Sequence, residues 1–350
     1  MAGKHRAAKQ GDDLRANAET LAFHRDTLVF DCLSLDYILD EPYATRVLKA
    51  GVNATNLTIT DESDSWDQVL RLIEVAAEKI EASPVLVQAT CAADIVKAKK
   101  AGKVAIILGT QGASMIETFL WRVELLHRLG IRYFGLAYTG ANLFADGCGE
   151  TRDAGISFLG RELIEVVNGL PMLLDLSHCG HRTRAEATKL AKHPVCTHSN
   201  AYTVNPNDRN TKDETIVAMT RKGGAIGVCG LTKSVWPKGA TIDHMLDHLD
   251  HFVKLVGPRH VGIGLDLTEG YQEAYRKSGV KHEVPKWRRL RPDIFGTAEE
   301  FFTVSYPKGL NTIRLLPNFT QGLFDRGYSR DDVAAIMGGN WFRNFKSACG

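Results

Sequence analysis

Eight short apolar runs, each followed by a longer amphipathic stretch, constrain this chain more than any other feature. They are "TLVF" (27–30), "VNATNLTI" (52–59), "KVAIILG" (103–109), "IRYFGLAY" (131–138), "PMLLDLS" (171–177), "HPVCTH" (193–198), "GAIGVCG" (224–230) and "HVGIGLD" (260–266). Runs rich in Val, Ile and Leu without polar alternation belong to strands buried on both faces. The segments between them, such as "SWDQVLRLIEVAAEKIEA" and "TIDHMLDHLDHFVKLVG", carry apolar residues at helical spacing. Several end in Gly or a basic residue, as helix C-termini prefer. One helix between successive strands gives parallel pairing. Eight such units over about 240 residues fit an α/β fold of the closed (β/α)8 barrel type, a TIM barrel, better than an open doubly wound sheet. The Gly-rich phosphate loop expected after the first strand of the open fold is missing, since neither GxGxxG nor GxxxxGK[ST] occurs.

The pattern predicts one barrel domain over 25–350 with helices at its C-terminal end, preceded by a loose polar tail over 1–24. The stretch after 266, "TEGYQEAYRKSGVKHEVPKWRRLRPDIFG", reads as a long loop over the barrel mouth, with Lys and Arg around 281–291 that suit an acidic substrate. Charge excludes some partners: 43 Lys and Arg against 41 Asp and Glu leave a net charge of +2, which asks for neither nucleic acid nor a lipid surface. Seven scattered cysteines without a CxxC pair imply reduced thiols and a cytoplasmic location. No run approaches the roughly 20 apolar residues of a membrane span, and the charged N-terminus lacks the apolar stretch of a signal peptide.

In a barrel of this kind the chemistry gathers at the C-terminal ends of the strands. Here those ends are Asp31, Asn56 or Thr58, Gln111, Tyr138, His178, His198, Cys229 with Gly230, and Asp266. Two neutral imidazoles on adjacent strands suit one divalent ion such as zinc. Asp266 ends the last strand, beside the first in a closed ring, and is placed to move a proton from an attacking water to a leaving group. The plainer reading pairs the histidines with backbone carbonyls and makes Asp266 a loop cap. His244, His248 and His251, at spacings of four and three on one helix, form a weaker metal candidate on the outer ring.

The pieces "LLDLSH" (173–178), "THSNA" (197–201), "DRNTKDE" (208–214), "RKGGAIGV" (221–228), "HVGIGLD" (260–266) and "GGNWFRNF" (338–345) follow one another in an order that resembles the renal or membrane dipeptidase family, metallopeptidases of the amidohydrolase superfamily. The resemblance implies an amidohydrolase-like barrel, two zinc ions, cleavage of dipeptides and a homodimer. It implies His178 and His198 as ligands of the second metal and Asp266 as the proton shuttle. It also implies that Arg209 receives the C-terminal carboxylate of the substrate, where a planar guanidinium gives two-point recognition.

The chain departs from the family pattern at the first metal. The family's "DGHND", with its HxD ligands, is "DCLSLD" here, and Asp31 and Asp36 flank the place as substitutes. The bridging glutamate of an "EGG" context falls at Gln111 in "GTQGAS", and the substrate-facing histidine falls at Tyr138 in "GLAYTGAN". The HxD pair and the bridging carboxylate serve one ion, so their joint loss implies a specialised site. Three readings stay open. The first is a hydrolase with one zinc-like ion on His178 and His198, helped by Gln111 or another carboxylate, acting on a dipeptide or another small carboxylated amide. The second is a metal-independent enzyme in which Asp266 and the histidines act as acid and base and Tyr138 donates to an oxyanion. The third is a binding protein without catalysis.

Overall fold

The computed structural model describes residues 13–60, 62–278, 286–297, 300 and 306–350. Nine parallel strands occur among them: β1 (Phe30–Ser34), β2 (Ala54–Thr58), β3 (Leu86–Gln88), β4 (Val104–Gly109), β5 (Ile131–Gly135), β6 (Leu173–Asp175), β7 (Pro194–Val195), β8 (Ile226–Val228) and β9 (Val261–Ile263). Eight of them run in the order β7, β6, β5, β4, β2, β1, β9, β8, and β3 adds to β4 outside this path. A parallel bridge between Cys196 and Ile226 joins the two ends, with Cys196 donating to Ala225 O at 3.1 Å and Gly227 to Cys196 O at 2.9 Å. The result is the eight-stranded (β/α)8 ring that the apolar runs predict.

Seven of the eight runs contain their ring strand whole, and the first does not. β1 begins at Phe30, so Asp31 is its second residue rather than its end. Polar side chains are tolerated in this buried strand because they are paired. Asp31 Oδ1 accepts from the backbone N–H of Leu265 at 2.8 Å and of Leu33 at 3.3 Å, while Thr55 Oγ1 donates to Ser34 Oγ at 2.8 Å. β3, three residues long, has no counterpart in the sequence reading.

The tail expectation is corrected from Ala18 onward. Residues Ala18–Asp26 form a helix capped by Asn17, whose side chain accepts from Thr20 N at 2.8 Å. His24 is buried there, bonded to Thr320 Oγ1 at 2.7 Å and Ala50 O at 2.9 Å, so the helix is fastened to the body of the protein. Residues 1–12 of the expected tail lie outside the described residues. The stretch after 266 is likewise helical where described, over Glu269–Ser278, Lys286–Leu290 and Pro292–Phe295. Glu269 holds its first helix down, pairing with Arg46 at 2.5 Å and accepting from Ile313 N at 2.8 Å.

Two apolar layers build the core. The outer faces of the strands meet the helices through residues such as Leu57, Ile106, Leu174, Val228 and Ile263. Inside the ring, Phe30, Ala54, Ile107, Tyr133, Leu173, Val195 and Ala225 pack on Trp341 and Phe345 of the helix Asn340–Cys349. Trp341 is fully buried and donates from Nε1 to Ile263 O at 3.0 Å, so the motif "GGNWFRNF" closes the N-terminal end of the barrel. The opposite end is left for the site.

Candidate active site

Four of the residues picked out from the sequence take equivalent places. Tyr138, His178, His198 and Asp266 each stand three positions past the last residue of β5, β6, β7 and β9. The structure brings the two imidazoles together, with Nε2 of His178 and Nε2 of His198 3.0 Å apart and both side chains buried. The ring of Tyr138 lies nearly flat on His178, with centroids 4.2 Å apart at 15°.

Hydrogen bonds behind His198 fix its tautomer. Thr197 Oγ1 has one hydrogen, which it donates to Asp175 Oδ2 at 2.5 Å. Its contact with His198 Nδ1 at 2.7 Å therefore requires the imidazole to donate, and Nε2 is left with its lone pair toward His178. The other oxygen of Asp175 accepts from Ser177 N, Ser177 Oγ and Thr197 N. His178 Nδ1 faces Thr139 Oγ1 at 3.4 Å. Burial, then the charge of Arg209, push both imidazoles well below the usual histidine range, with neighbouring Arg184 adding to this; both rings are neutral at pH 7. Two glycines make the close approach feasible. A Cβ at Gly264 would stand 1.9 Å from Thr197 O, and one at Gly227 2.1 Å from the same oxygen.

Asp266 has a left-handed backbone, φ 55°. Asp is among the side chains that tolerate that region, at a cost of order 1–3 kcal/mol for a non-glycine residue. Its N–H donates to Leu33 O at 3.3 Å and its carbonyl accepts from Tyr306 Oη. Burial raises the carboxyl to about 6, against the pull of Arg209 and Arg288. Arg209 is 1% exposed. Its Nη1 donates to Ser177 O, but Nε and Nη2 are buried without a partner. Buried N–H groups are ordinarily paired, and a charged one left bare is costly. The charge of Arg209 acts on His178, His198 and Asp266 alike, and its bond to Ser177 O sets it next to the backbone of His178.

Among the described residues, the other expected side chains make no hydrogen bond with either imidazole. Gln111 is buried two positions past β4, and the hydrogen bonds of both imidazoles go to other groups. Asp31 lines a small cavity with Tyr37, Ile38, Val47, Leu267 and Ile313, and Asp36 is exposed and accepts from Tyr271 Oη. Thr58 ends β2, and its Oγ1 is buried without a partner, as is Asn56 Oδ1. The outer histidines do not converge: His248 bonds Ala201 N and Val235 O, His251 bonds Asp213, and His244 stacks on Trp236. Residues 281–285 of the basic cluster lie outside the described residues. Of the rest, Arg291 pairs with Asp208 at 2.9 Å, and Lys286 pairs with Glu62 at 2.8 Å. Sequence reasoning missed Asp175, Thr197, Thr139 and Arg184. The only signals were a carboxylate three residues before one histidine and a hydroxyl immediately before the other.

A family model described as membrane dipeptidase, peptidase family M19, matches residues 43–281. The chain belongs to that family. It is 37% identical over 186 residues to an uncharacterized dipeptidase of Schizosaccharomyces pombe, covering 51% of this chain and 45% of that one. To the dipeptidase aclJ of Aspergillus oryzae it is 28% identical over 253 residues, covering 69% and 51%. The chain thus spans about half the length of these curated relatives. Among solved structures, an amidohydrolase from Pseudomonas aeruginosa superposes with a TM-score of 0.81 at 28% identity, covering 95% of this chain and 99% of that one. A metallopeptidase from Rhodobacter sphaeroides, liganded with a phosphinate mimic of L-Ala-D-Ala, shares the fold with a TM-score of 0.75 at 20% identity, covering 92% and 100%.

The family implies metal, and the two halves of the site fit it differently. At the HxD position of the dipeptidase pattern stand Leu33 and Leu35, which offer no donor atom. Among the described residues no group of three or more His, Cys, Asp and Glu side chains is arranged to hold an ion. The His178 and His198 pair does fit one ion as two of its ligands: both rings are neutral, the Nε2 atoms converge, and each Nδ1 faces a hydroxyl. Catalytic zinc sites ordinarily supply three protein ligands, so two imidazoles make a weaker, more readily stripped site. Among the described residues no helix is long and apolar enough to cross a membrane.

Proposed function

We propose that this chain hydrolyses a dipeptide, or another small amide with a free carboxylate, using one zinc-like ion on His178 and His198. The observation that carries the reading is the bare Nε and Nη2 edge of buried Arg209 beside the converging imidazoles. That edge matches a carboxylate in geometry and charge. Zinc bound at the histidine pair supplies Lewis acidity toward the amide carbonyl.

The chain's own residues do the rest. Arg209 orients the substrate through its carboxylate. Thr197 and Asp175 hold His198 in one tautomer, and Tyr138 braces the face of His178. Asp266, at about 6, is mostly ionised at pH 7 yet basic enough to take the proton of an attacking water and hand it to the leaving amine. Seven free cysteines support a cytoplasmic location. The homodimer rests on the family resemblance alone, and sedimentation velocity tests it.

The functional test is release of amino acids from L-Ala-L-Ala, L-Ala-D-Ala and their C-terminal amides. The reading expects cleavage of a free acid over its amide, loss of activity with a chelator and recovery with zinc. Hydrolysis indifferent to chelator moves the chain to acid and base chemistry without metal, and failure on every dipeptide contradicts the reading.

A further inference from the structure

Arg184 is fully buried in the helix His181–Leu190, and no carboxylate forms an ion pair with it among the described residues. A guanidinium carries five N–H donors, and here they meet five backbone carbonyls. Nε donates to Leu176 O at 3.2 Å. Nη1 donates to Asp208 O at 3.3 Å and Asn210 O at 2.7 Å, and Nη2 to Ser177 O at 2.8 Å and Arg209 O at 3.0 Å. Two of these carbonyls precede His178 past β6, and three belong to the loop that carries Arg209. Ser177 O accepts from Arg209 Nη1 as well, so the two guanidinium groups share an acceptor.

We infer that Arg184 is a positioning residue for substrate recognition: it staples the Asp208–Asn210 loop to the end of β6 so that the bare edge of Arg209 faces the histidine pair. The inference rests on Arg209 receiving a carboxylate. No other side chain type matches the contact, because lysine has three donors on one atom and cannot span carbonyls on both sides of a gap. Two buried cations sharing an acceptor repel each other, and a carboxylate on the free edge of Arg209 relieves that repulsion. Arg184 thereby favours an anionic ligand as well as aligning the group that binds it.

The test is calorimetric binding of L-Ala-L-Ala and of L-alanyl-L-alaninamide to chelator-treated full-length protein, where turnover does not intrude. The expected wild-type preference for the acid is at least about tenfold, given that a charged hydrogen-bonded pair is worth about 1.5–3 kcal/mol. Arg209→Lys removes most of that preference. Arg184→Lys and Arg184→Gln, which keep some of the donors, each lower it at least about fivefold while amide binding changes little. The Arg184→Lys, Arg209→Lys double variant falls no further than Arg209→Lys alone, as expected of residues acting as a unit. A general structural role for Arg184 would weaken acid and amide together and leave their ratio intact. Should the ratio survive both Arg184 variants but not Arg209→Lys, the positioning role is wrong. Should the wild type show no preference, or Arg209→Lys keep it, the carboxylate reading fails and takes the inference with it.

Discussion

Asp175 reaches His198 through one hydroxyl: Thr197 Oγ1 donates to the carboxylate at 2.5 Å and accepts from imidazole Nδ1 at 2.7 Å. This chain of two bonds decides which nitrogen of His198 is free. Replacing Thr197 by Val keeps the shape and removes the acceptor, so His198 can turn or change tautomer. Losses of such outer partners typically cost 10–100-fold in metal affinity. Zinc affinity of Thr197→Val, measured by competition with a chromophoric chelator, should weaken by that order, and an unchanged affinity would contradict the relay.

Asp266→Asn preserves size and removes the base. The expected loss in kcat is about 10²–10⁴-fold, with little change in the binding of a dipeptide acid, which Arg209 governs. In the wild type the rate falls as pH drops through about 6, where Asp266 takes up its proton. The limb has unit slope, because His178 and His198 stay neutral to lower pH. A slope of two in the pH profile of kcat would mean that an imidazole titrates in the same range.

Asp31 gives a stability prediction separate from catalysis. Burial raises its carboxyl to about 7, opposed by hydrogen bonds from Leu265 and Leu33, and the charge of Asp266 adds to the rise. A carboxyl raised in the folded state binds its proton more tightly there than in the unfolded chain. Its favourable contribution is complete below the unfolded value near 3.8 and is lost as pH climbs through about 7. Asp31→Asn imitates the protonated form, so its stability relative to wild type should improve from pH 5 to pH 8. The full range is on the order of 4 kcal/mol at about 1.4 kcal/mol per pH unit. Urea unfolding at the two pH values measures the part that falls between pH 5 and about 7, roughly 3 kcal/mol, and a difference that shrinks toward pH 8 would contradict the sign.

The barrel was legible because its strands are continuous apolar runs, a pattern that buried parallel strands impose on a sequence. Where polar residues enter a strand the pattern fails. Asp31 and Ser34 sit inside β1, yet their pairing with Leu265, Leu33 and Thr55 depends on contacts that no local window shows. The helix Ala18–Asp26 escaped notice because its anchor is one buried histidine bonded to Thr320 and Ala50, both distant in the chain. His178, His198, Asp266 and Arg209 could be picked out because strand ends and an ordered set of short motifs marked them. Arg184 and Thr197 could not, since an arginine near the start of a helix and a threonine beside a histidine are ordinary until their partners are known.

Trp341 tests the closed end of the barrel. Truncating a fully buried tryptophan costs about 3–5 kcal/mol, and here it also leaves Ile263 O without its donor. Trp341→Ala should lower the thermal midpoint markedly while the acid over amide ratio of the remaining folded protein holds, since the helix Asn340–Cys349 lies at the end opposite the site.

The most direct test of one ion on two histidines is metal content by plasma mass spectrometry, on protein purified without chelator and then equilibrated with zinc. The account predicts about one ion per chain in the wild type, and none in His178→Ala or His198→Ala. Two ions per chain would show that the first site survives despite Leu33, Leu35 and Gln111, and none in the wild type would contradict the metal-dependent reading outright.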